Sequence, residues 1–223
     1  MKKLFILSFL SVTTFVSAQI TKNVGDFTKV TAFDKISVQL IASEENKIEI
    51  KGNLANDVEV INANGELKIR MPLGKLLKGD DIVAKVYFIK LEGLEANEGS
   101  YISCETELKA LDFGLIAKEG AQIRVNVDAQ RIAVKSSNGA IIKLSGKAQN
   151  INVVINSGGV LEAKNCKTSQ AVVSVNAGGS ADVTASDLVD AKTRAGGTIT
   201  IYGNPKQVNQ KTVLGGSIII SKR

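Results

Sequence analysis

Glu162 and Asp182 are the two residues whose type and spacing could do chemistry in this sequence. Each stands four residues after a glycine, in successive segments of about 20 residues. If those segments stack as β-strands about 4.8 Å apart, the two carboxylates are neighbours. A separation of about 5 Å suits the carboxylate pair of a retaining glycosidase or a cation site. The alternative is a surface charge ladder, in which Lys143 at the same offset one segment earlier neutralises Glu162.

The residues that other catalytic arrangements require are absent from this sequence or wrongly spaced. The sequence contains no histidine, which removes Ser-His-Asp and Cys-His catalysis and histidine-based metal sites. The glycines between Gly74 and Gly79 do not have the spacing of a phosphate-binding or dinucleotide-binding loop. We therefore predict no cofactor, no metal and no enzymatic activity, and Glu162 and Asp182 remain the catalytic candidates if a polysaccharide is cut.

The elements that must position these residues follow a glycine period. The corner glycines are separated by 21, 19, 19, 20, 18 and 19 residues. A period of about 20 residues is typical of stacked coils, each of which cannot bury its apolar face alone. The seven are Gly99, Gly120, Gly139, Gly158, Gly178, Gly196 and Gly215.

Apolar residues recur at fixed offsets from every corner glycine. The third residue after it is Ile102, Ile123, Ile142, Leu161, Ala181, Ile199 and Ile218, and the fifth is Cys104, Val125, Leu144, Ala163, Val183, Ile201 and Ile220. Polar residues stand between, which is the period-two pattern of a strand with one buried face. Each unit is predicted to be a strand, a glycine corner, a second strand and a variable polar turn. The sequence thus predicts an all-β protein, a single-stranded parallel β-helix of about seven coils.

The repeat predicts a specific conformation or contact at several glycine, asparagine and cysteine positions. Where two glycines follow one another, as in Gly178-Gly179, the first is expected to have a positive φ, so that a β-branched replacement costs at least about 1–2 kcal/mol. Asn156 and Asn176 share an offset and are expected to form a hydrogen-bonded ladder. Cys104 falls in the core and Cys166 in a turn three coils away, about 14 Å apart. Because a disulfide needs Cα atoms within about 7 Å, we predict two free thiols.

The N-terminal part differs from the repeats. Residues 1–18 combine two lysines, a short apolar run and Val16-Ser17-Ala18, the pattern of a secretory signal peptide. Residues 19–90 contain strand-like runs and the hairpin signal Asn64-Gly65, and they are predicted to form a β-structured cap continuous with the β-helix of residues 91–223. No transmembrane segment is predicted after the signal peptide. Its removal lowers the net charge from +6 to +4, since it holds two lysines and no acids.

A family resemblance extends these expectations. The pattern Phe33-Asp34-Lys35-Ile36, the hairpin Asn64-Gly65-Glu66-Leu67 and the later glycine pairs resemble the autotransporter adhesin head domain, called the head GIN domain. The resemblance covers about Phe27 to Arg223. It implies an exported protein of a Gram-negative bacterium with a right-handed β-helix, and it carries no catalytic signature.

These observations predict an exported protein of the periplasm or outer cell surface, acting as a non-catalytic binding or adhesion-type module. Its partner would be a surface ligand, a glycan or an envelope protein, and oligomers could form through the solenoid edges. Scattered lysines and few aromatic residues argue against nucleic acid. The alternative is a polysaccharide-active or carbohydrate-binding β-helix that uses the Glu162 and Asp182 face, and a third possibility is a purely structural periplasmic protein.

Overall fold

Parallel strands wind into a β-solenoid of about seven turns, which confirms the fold class predicted from the glycine period. The computed structural model describes residues 19–221, in which sixteen strands join in one sheet. The predicted signal peptide, residues 1–18, lies outside the described residues. The strands are β1 Gln19–Asn23, β2 Lys29–Ala32, β3 Ser37–Ala42, β4 Lys47–Lys51, β5 Glu59–Ala63, β6 Glu66–Arg70, β7 Val83–Phe88, β8 Gly93–Ala96, β9 Tyr101–Ala117, β10 Gln122–Ser136, β11 Ile141–Asn156, β12 Val160–Asn176, β13 Ser180–Arg194, β14 Thr198–Tyr202, β15 Gln207–Val213 and β16 Ser217–Ile220. Two single-turn 3₁₀ helices span Ala55–Asp57 and Leu73–Lys75.

Equivalent positions of successive coils lie directly beside one another. Ile123 of β10 pairs with Ile102 of β9 on one side and with Ile142 of β11 on the other, and all three side chains are buried. The same register continues to Ala181 and Ile199. Burying each large aliphatic side chain contributes about 1.5–3 kcal/mol, so these internal columns supply the core that a single coil lacks.

The predicted variable polar turn is wrong for the central coils. Strands β9 to β13 run unbroken for 15 to 17 residues from one glycine corner to the next. Their polar stretches stay extended because most of their residues pair with residues of the neighbouring coil. The coils differ in length by bulges instead, with register shifts between Arg124 and Asn126, between Lys143 and Gly146, and between Ala163 and Lys167.

Each glycine corner has two consecutive residues with positive φ, the first of which is not glycine, and at the last two corners Gly197 and Gly216 add a third. At one corner Ala177 has φ 55° and Gly178 has φ 81°. The next residue, Gly179, faces inward, where an added methyl carbon would lie 2.5 Å from Ile155 Cγ2 of the preceding coil. The first glycine therefore serves the turn, whereas the second leaves room for a neighbour's side chain.

The inward corner position changes along the solenoid with the size of its neighbours. Ser100, Ala121 and Ala140 occupy it in the first three corners and are fully buried. Glycine occupies it in the next four, where an added methyl carbon would meet Ser136, Ile155, Val175 and Thr193, respectively, within 2.9 Å. The obstructing atoms belong to the backbone of Ser136 at Gly159 and to side chains of the preceding coil at the other three corners, and dense packing leaves no room for a larger residue there.

The N-terminal strands enter the stack out of chain order. Strand β2 pairs in parallel with β6 on one side and β8 on the other, and β3 lies between β7 and β9. The coil β2–β3 is therefore held between β6–β7 and β8–β9. Farther out, β4 and β5 add antiparallel strands, and β1 pairs with β4. The hairpin predicted at Asn64-Gly65 is confirmed, since it joins β5 to β6 with φ values of 54° and 76°.

The corner of the coil β2–β3 contains no glycine. Asp34 and Lys35 have φ values of 59° and 64°. The Asp34 side chain is buried and accepts hydrogen bonds from the backbone N–H of Met71 at 2.9 Å and of Leu77 at 2.8 Å. Gly79 packs against this corner and donates its N–H to the Asp34 carbonyl at 3.0 Å. One carboxylate thus fixes the loop between β6 and β7.

Charged side chains link the interleaved coils. Lys29 Nζ lies 2.9 Å from Glu66 Oε1 and 2.8 Å from Glu95 Oε2, and Lys118 Nζ lies 2.9 Å from Glu95 Oε1. Burial would raise the pKa of Glu66, but the hydrogen bonds from Thr31 and Lys29 outweigh it and lower the pKa to about 2. Burial would also raise the pKa of Glu95, but the hydrogen bonds from Lys29 and Lys118 outweigh it, and the pKa is lowered.

These shifts predict a loss of stability in acid. A carboxyl whose pKa is lower in the folded state stabilises the protein above its unfolded pKa and loses that contribution as the pH falls through the folded value. For Glu66 the window runs from 4.5 down to about 2. We expect Glu66→Gln to cost about 1 kcal/mol at pH 7, since water screens part of the interaction, and to flatten the stability slope in that window. Urea unfolding at a series of pH values measures both, and a slope identical to wild type would contradict the assignment.

Candidate functional site

The two candidate carboxylates, Glu162 and Asp182, are neighbours as the register of the coils predicts, and we call them the acidic rung. Glu162 of β12 and Asp182 of β13 are direct cross-strand partners. Lys143 Nζ lies 3.2 Å from Glu162 Oε2, and both side chains are about half exposed, at 49% and 48%. Glu162 is thus a member of a solvated ion pair, an arrangement of the charge-ladder kind and unlike the desolvated acid that a glycosidase needs.

A broad groove of about 920 Å³ runs over this rung, which we call the charged groove. Its charged and aromatic lining consists of Tyr101, Glu105, Arg124, Lys143, Glu162, Lys164 and Asp182. The strand bulges lie along it, so its backbone is less regular than that of the other faces. Lys164 Nζ lies 4.7 Å from the centre of the Tyr202 ring. Three positive and three negative side chains line this groove and compensate one another, with Arg124 and Lys143 followed by Glu162 and Asp182 along one cross-strand row.

A second groove, of about 790 Å³, lies on another face of β9 to β12, and we call it the amide groove. Its outward residues are Lys90, Glu92, Leu111, Asp112, Gly114, Arg131, Ala133, Asn150, Asn152, Gln170 and Val172. Gly114 and Ala133 are cross-strand neighbours, and their small size forms the depression. Leu111 and Val172 are the exposed apolar side chains of this groove, at 57% and 49%.

The polar groups of the amide groove are a set of amides and two ion pairs, one of which joins Lys90 Nζ to Glu92 Oε1 at 2.6 Å. Arg131 and Asp112 form a two-pronged ion pair, with Nη2 and Oδ2 2.7 Å apart and a second bond from Nε to Oδ1. The hydrogen bonds between these two side chains lower the pKa of Asp112 and raise the pKa of Arg131. This pair is electrically neutral overall. Asn150 lies between Arg131 and Gln170 in one cross-strand row, and Asn152 lies between Ala133 and Val172 in the next outward row. Each of these amides offers both donors and acceptors.

Comparison with known proteins places the chain in a family. Residues 26–205 match the family described as "putative auto-transporter adhesin, head GIN domain". The chain belongs to this family. No match was found among curated protein sequences.

Three crystal structures share the head GIN fold with this chain. A putative adhesin from Bacteroides fragilis is 19% identical, with a TM-score of 0.86 over 93% of this chain and 98% of its own. A putative adhesin from Parabacteroides merdae is 16% identical, with a TM-score of 0.74 over 92% and 96%. A putative lipid binding protein from Parabacteroides distasonis is 13% identical, with a TM-score of 0.70 over 92% and 96%. At these identities the likeness concerns the fold.

Membership of the head GIN family points to an adhesin-type module rather than an enzyme. The alternative of a polysaccharide-active face at Glu162 and Asp182 is not supported. Within residues 19–221, no group of three or more potential ligands from histidine, cysteine, aspartate and glutamate could hold a metal ion. The same part of the chain contains no helix of the length and apolarity that crossing a membrane requires.

Both cysteines of this head GIN domain are free, as predicted, and Cys104 is buried as expected, but Cys166 is buried as well. Cys166, however, lies within β12 and not in a turn, because the strand continues through that stretch. Burial raises the pKa of the Cys166 thiol to about 12, which keeps it protonated and unreactive. The asparagine ladder is also confirmed, with Asn176 Nδ2 donating to Asn156 Oδ1 at 3.0 Å.

Sequence analysis did not find the amide groove, although a signal for it was present. Val172 stands between Ala171 and Val173, so three apolar residues interrupt the alternation, and only the middle one faces solvent. Leu111 likewise follows Ala110 directly. An apolar residue on the outward side of a strand marks an exposed position that the core does not use.

Proposed function

We propose that this protein is an exported binding module of the adhesin type, which holds an extended polypeptide in the amide groove. Family membership supports the adhesin-type role. The signal-peptide pattern of residues 1–18 supports export to the periplasm or outer surface of a Gram-negative bacterium. The location and the ligand are parts of the proposal.

The observation that carries this proposal is the pair of exposed apolar side chains at the two ends of the amide groove. Leu111 belongs to β9 and Val172 to β12, three strand spacings or about 14 Å apart across the strands. Val172 is in register with Gly114, three residues beyond Leu111, which adds about 10 Å along the strands and gives a separation of about 17 Å. An extended peptide spans that distance with about five residues. Its apolar side chains would cover Leu111 and Val172, and its backbone would meet the amides of Asn150 and Asn152.

The chemistry of the amide groove favours a polypeptide over a glycan. Apolar anchors flanked by amide donors and acceptors match alternating side chains and backbone groups of a peptide. The neutral ion pair of Arg131 and Asp112 does not select strongly for ligand charge. Phe113, the aromatic residue of this face, is 1% exposed and faces the core, so it offers no platform on which a sugar ring could stack.

Val172→Asp tests the proposal. We expect the purified protein to bind members of an extracellular-matrix protein array, and Val172→Asp to weaken that binding at least about tenfold, because a carboxylate that the bound peptide desolvates at this end of the groove is costly. Leu73→Asp is the matched control, since Leu73 is 90% exposed but lies in the loop between β6 and β7. Binding only on a glycan array, or equal binding by Val172→Asp and wild type, would contradict the amide groove as the site. An absence of binding on both arrays would favour the purely structural role.

A further inference from the structure

Four charged side chains of the charged groove form one outward row across the middle of the solenoid, which we call the charged row. Arg124 of β10 lies beside Lys143 of β11, Lys143 beside Glu162 of β12, and Glu162 beside Asp182 of β13. Two positive side chains are therefore followed by two negative ones, with about 4.8 Å between neighbouring strands. The row has no net charge, but it has a positive and a negative end.

The monomer leaves the two ends of the charged row without partners. Lys143 and Glu162 pair with each other at its centre. Within residues 19–221, neither Arg124 nor Asp182 has an ion pair. Each of them instead lies directly beside a like charge, Arg124 beside Lys143 and Asp182 beside Glu162, which is unfavourable. A partner that brought a negative charge to Arg124 and a positive charge to Asp182 would offset this repulsion.

The charged row is complementary to itself when its direction is reversed. A two-fold axis that is parallel to the strands and passes between β11 and β12 turns a second copy over and reverses the order of its coils. Arg124 then faces Asp182 of the second copy, and Lys143 faces Glu162 of the second copy. An axis parallel to the solenoid would instead place every charge opposite the same charge, which is costly. The charge pattern thus selects one of these two arrangements.

The outward rows on either side of the charged row agree with this axis. The row two residues earlier has the partly exposed Ile141 and Val160 at its centre and is uncharged from β9 to β14, where it consists of Tyr101, Gln122, Ile141, Val160, Ser180 and Thr198. On the other side, Glu105 lies in β9, and Lys164 Nζ lies 4.7 Å from the centre of the Tyr202 ring in β14. Since the rotation brings β9 opposite β14, Glu105 and Lys164 of different copies carry opposite charges on facing parts of the groove.

We propose that the charged groove is an interface between two copies of this chain, which form a two-fold dimer with antiparallel solenoids. Ile141 and Val160 of each copy would pack on the same pair of the other copy. The charged side chains would surround this centre, as in interfaces with an apolar core and a polar rim. Their length would let them occupy the space of the two facing grooves.

The size of this contact predicts a weak dimer. The strands from β9 to β14 span five spacings, about 24 Å, and the three rows span about 13 Å along the strands. A footprint of about 300 Å² per copy is well below the value of about 800 Å² that is typical of a stable complex. The amide groove lies on another face and stays open. The dimer would therefore present two amide grooves and gain avidity for a repetitive ligand.

Reversing the charges at the ends of the row tests this dimer by sedimentation velocity. Wild type at protein concentrations up to about 1 mM is expected to dimerise at a salt concentration of about 0.01 M and to become monomeric at about 1 M, because salt screens exposed charges. Arg124→Asp and Asp182→Arg are each expected to weaken dimerisation at least about tenfold, since like charges then face each other across the axis. Lys135→Asp is the matched control, because Lys135 is an exposed lysine of β10 outside the charged groove, and it should dimerise like wild type.

A mixture of the two single variants tests which residues face each other. In a mixed pair, the Arg124→Asp site of one copy faces the Asp182→Arg site of the other, and the unchanged Asp182 and Arg124 form the second contact. The mixture is therefore expected to recover the wild-type dimer, and so is the double variant Arg124→Asp/Asp182→Arg. Arg124→Gln and Asp182→Asn, which remove a charge without reversing it, should weaken the dimer less than the reversals do.

Three outcomes would overturn the proposal. These are a wild-type monomer throughout the low-salt series, single charge reversals that dimerise like wild type, and a mixture that does not recover the dimer. Circular dichroism melting checks the fold of each variant, and no loss is expected because each reversal replaces a like-charged neighbour by an opposite one. None of these measurements involves a ligand, so the dimer can fail without affecting the proposed function.

Discussion

Gly179→Ala is expected to destabilise the protein by about 3 kcal/mol or more, because the added methyl group has no space. It would lie 2.5 Å from Ile155 Cγ2 and 2.7 Å from the Gly159 carbonyl oxygen. The backbone oxygen cannot rotate away as a flexible side chain would, so the strain must spread through two stacked coils. Urea unfolding of the variant measures this loss.

Gly178→Ala is the matched control, one residue earlier in the same corner. Gly178 has φ 81°, but an added methyl carbon would meet no atom within 4 Å. Its cost is that of a left-handed backbone conformation, about 1–2 kcal/mol. In addition, Gly179→Ala combined with Ile155→Ala should cost less than the sum of the two single changes, since Ile155→Ala removes one of the clashing atoms. Equal losses for Gly178→Ala and Gly179→Ala would refute the packing explanation.

Asp34→Asn is expected to cost about 2–4 kcal/mol, despite the near-identical shape of the two side chains. The Asp34 carboxylate accepts one hydrogen bond on each oxygen, from the Met71 and Leu77 amides. An asparagine offers one acceptor oxygen, so its NH₂ group must face one of these N–H donors and leave it unpaired. Urea unfolding measures the loss, and hydrogen exchange at Met71 and Leu77 locates it.

Lys35→Asn separates hydrogen bonding from backbone conformation. Lys35 has φ 64°, which asparagine tolerates better than lysine does. This exchange is expected to be neutral or slightly stabilising, because the Lys35 side chain is exposed. If Asp34→Asn were as stable as Lys35→Asn, the two hydrogen bonds of Asp34 would not be what holds the loop between β6 and β7.

The coil register could be predicted from the sequence because the apolar columns repeat at constant offsets from the glycines. Ile102, Ile123 and Ile142 become neighbours as soon as the coils stack. The reason for the second glycine of each pair could not be predicted in this way. Gly179 is required by Ile155, which is 24 residues earlier in the chain and faces it only once the coils are stacked.

The pairing order of the N-terminal strands could also not be predicted from local sequence patterns. Runs such as Val30 to Phe33 were identified as strands, but alternation within a strand does not say which parallel neighbour it will have. The position of β2 between β6 and β8 depends on long-range pairing. Likewise, the spacing predicted that Glu162 and Asp182 would be neighbours, whereas the amide groove depends on small residues at Gly114 and Ala133, which are ordinary outward positions in sequence.

The position of β2–β3 between β6–β7 and β8–β9 limits how such a protein can change length during evolution. Duplicating one coil between Gly120 and Gly178 would add a layer whose upper and lower surfaces match those of its neighbours. A duplication within residues 29–96 would instead have to separate strands that are paired across two different parts of the chain. Growth by tandem duplication is therefore confined to the repeats, where it also lengthens the grooves, while the N-terminal end stays as a fixed template from which coils of any number can begin.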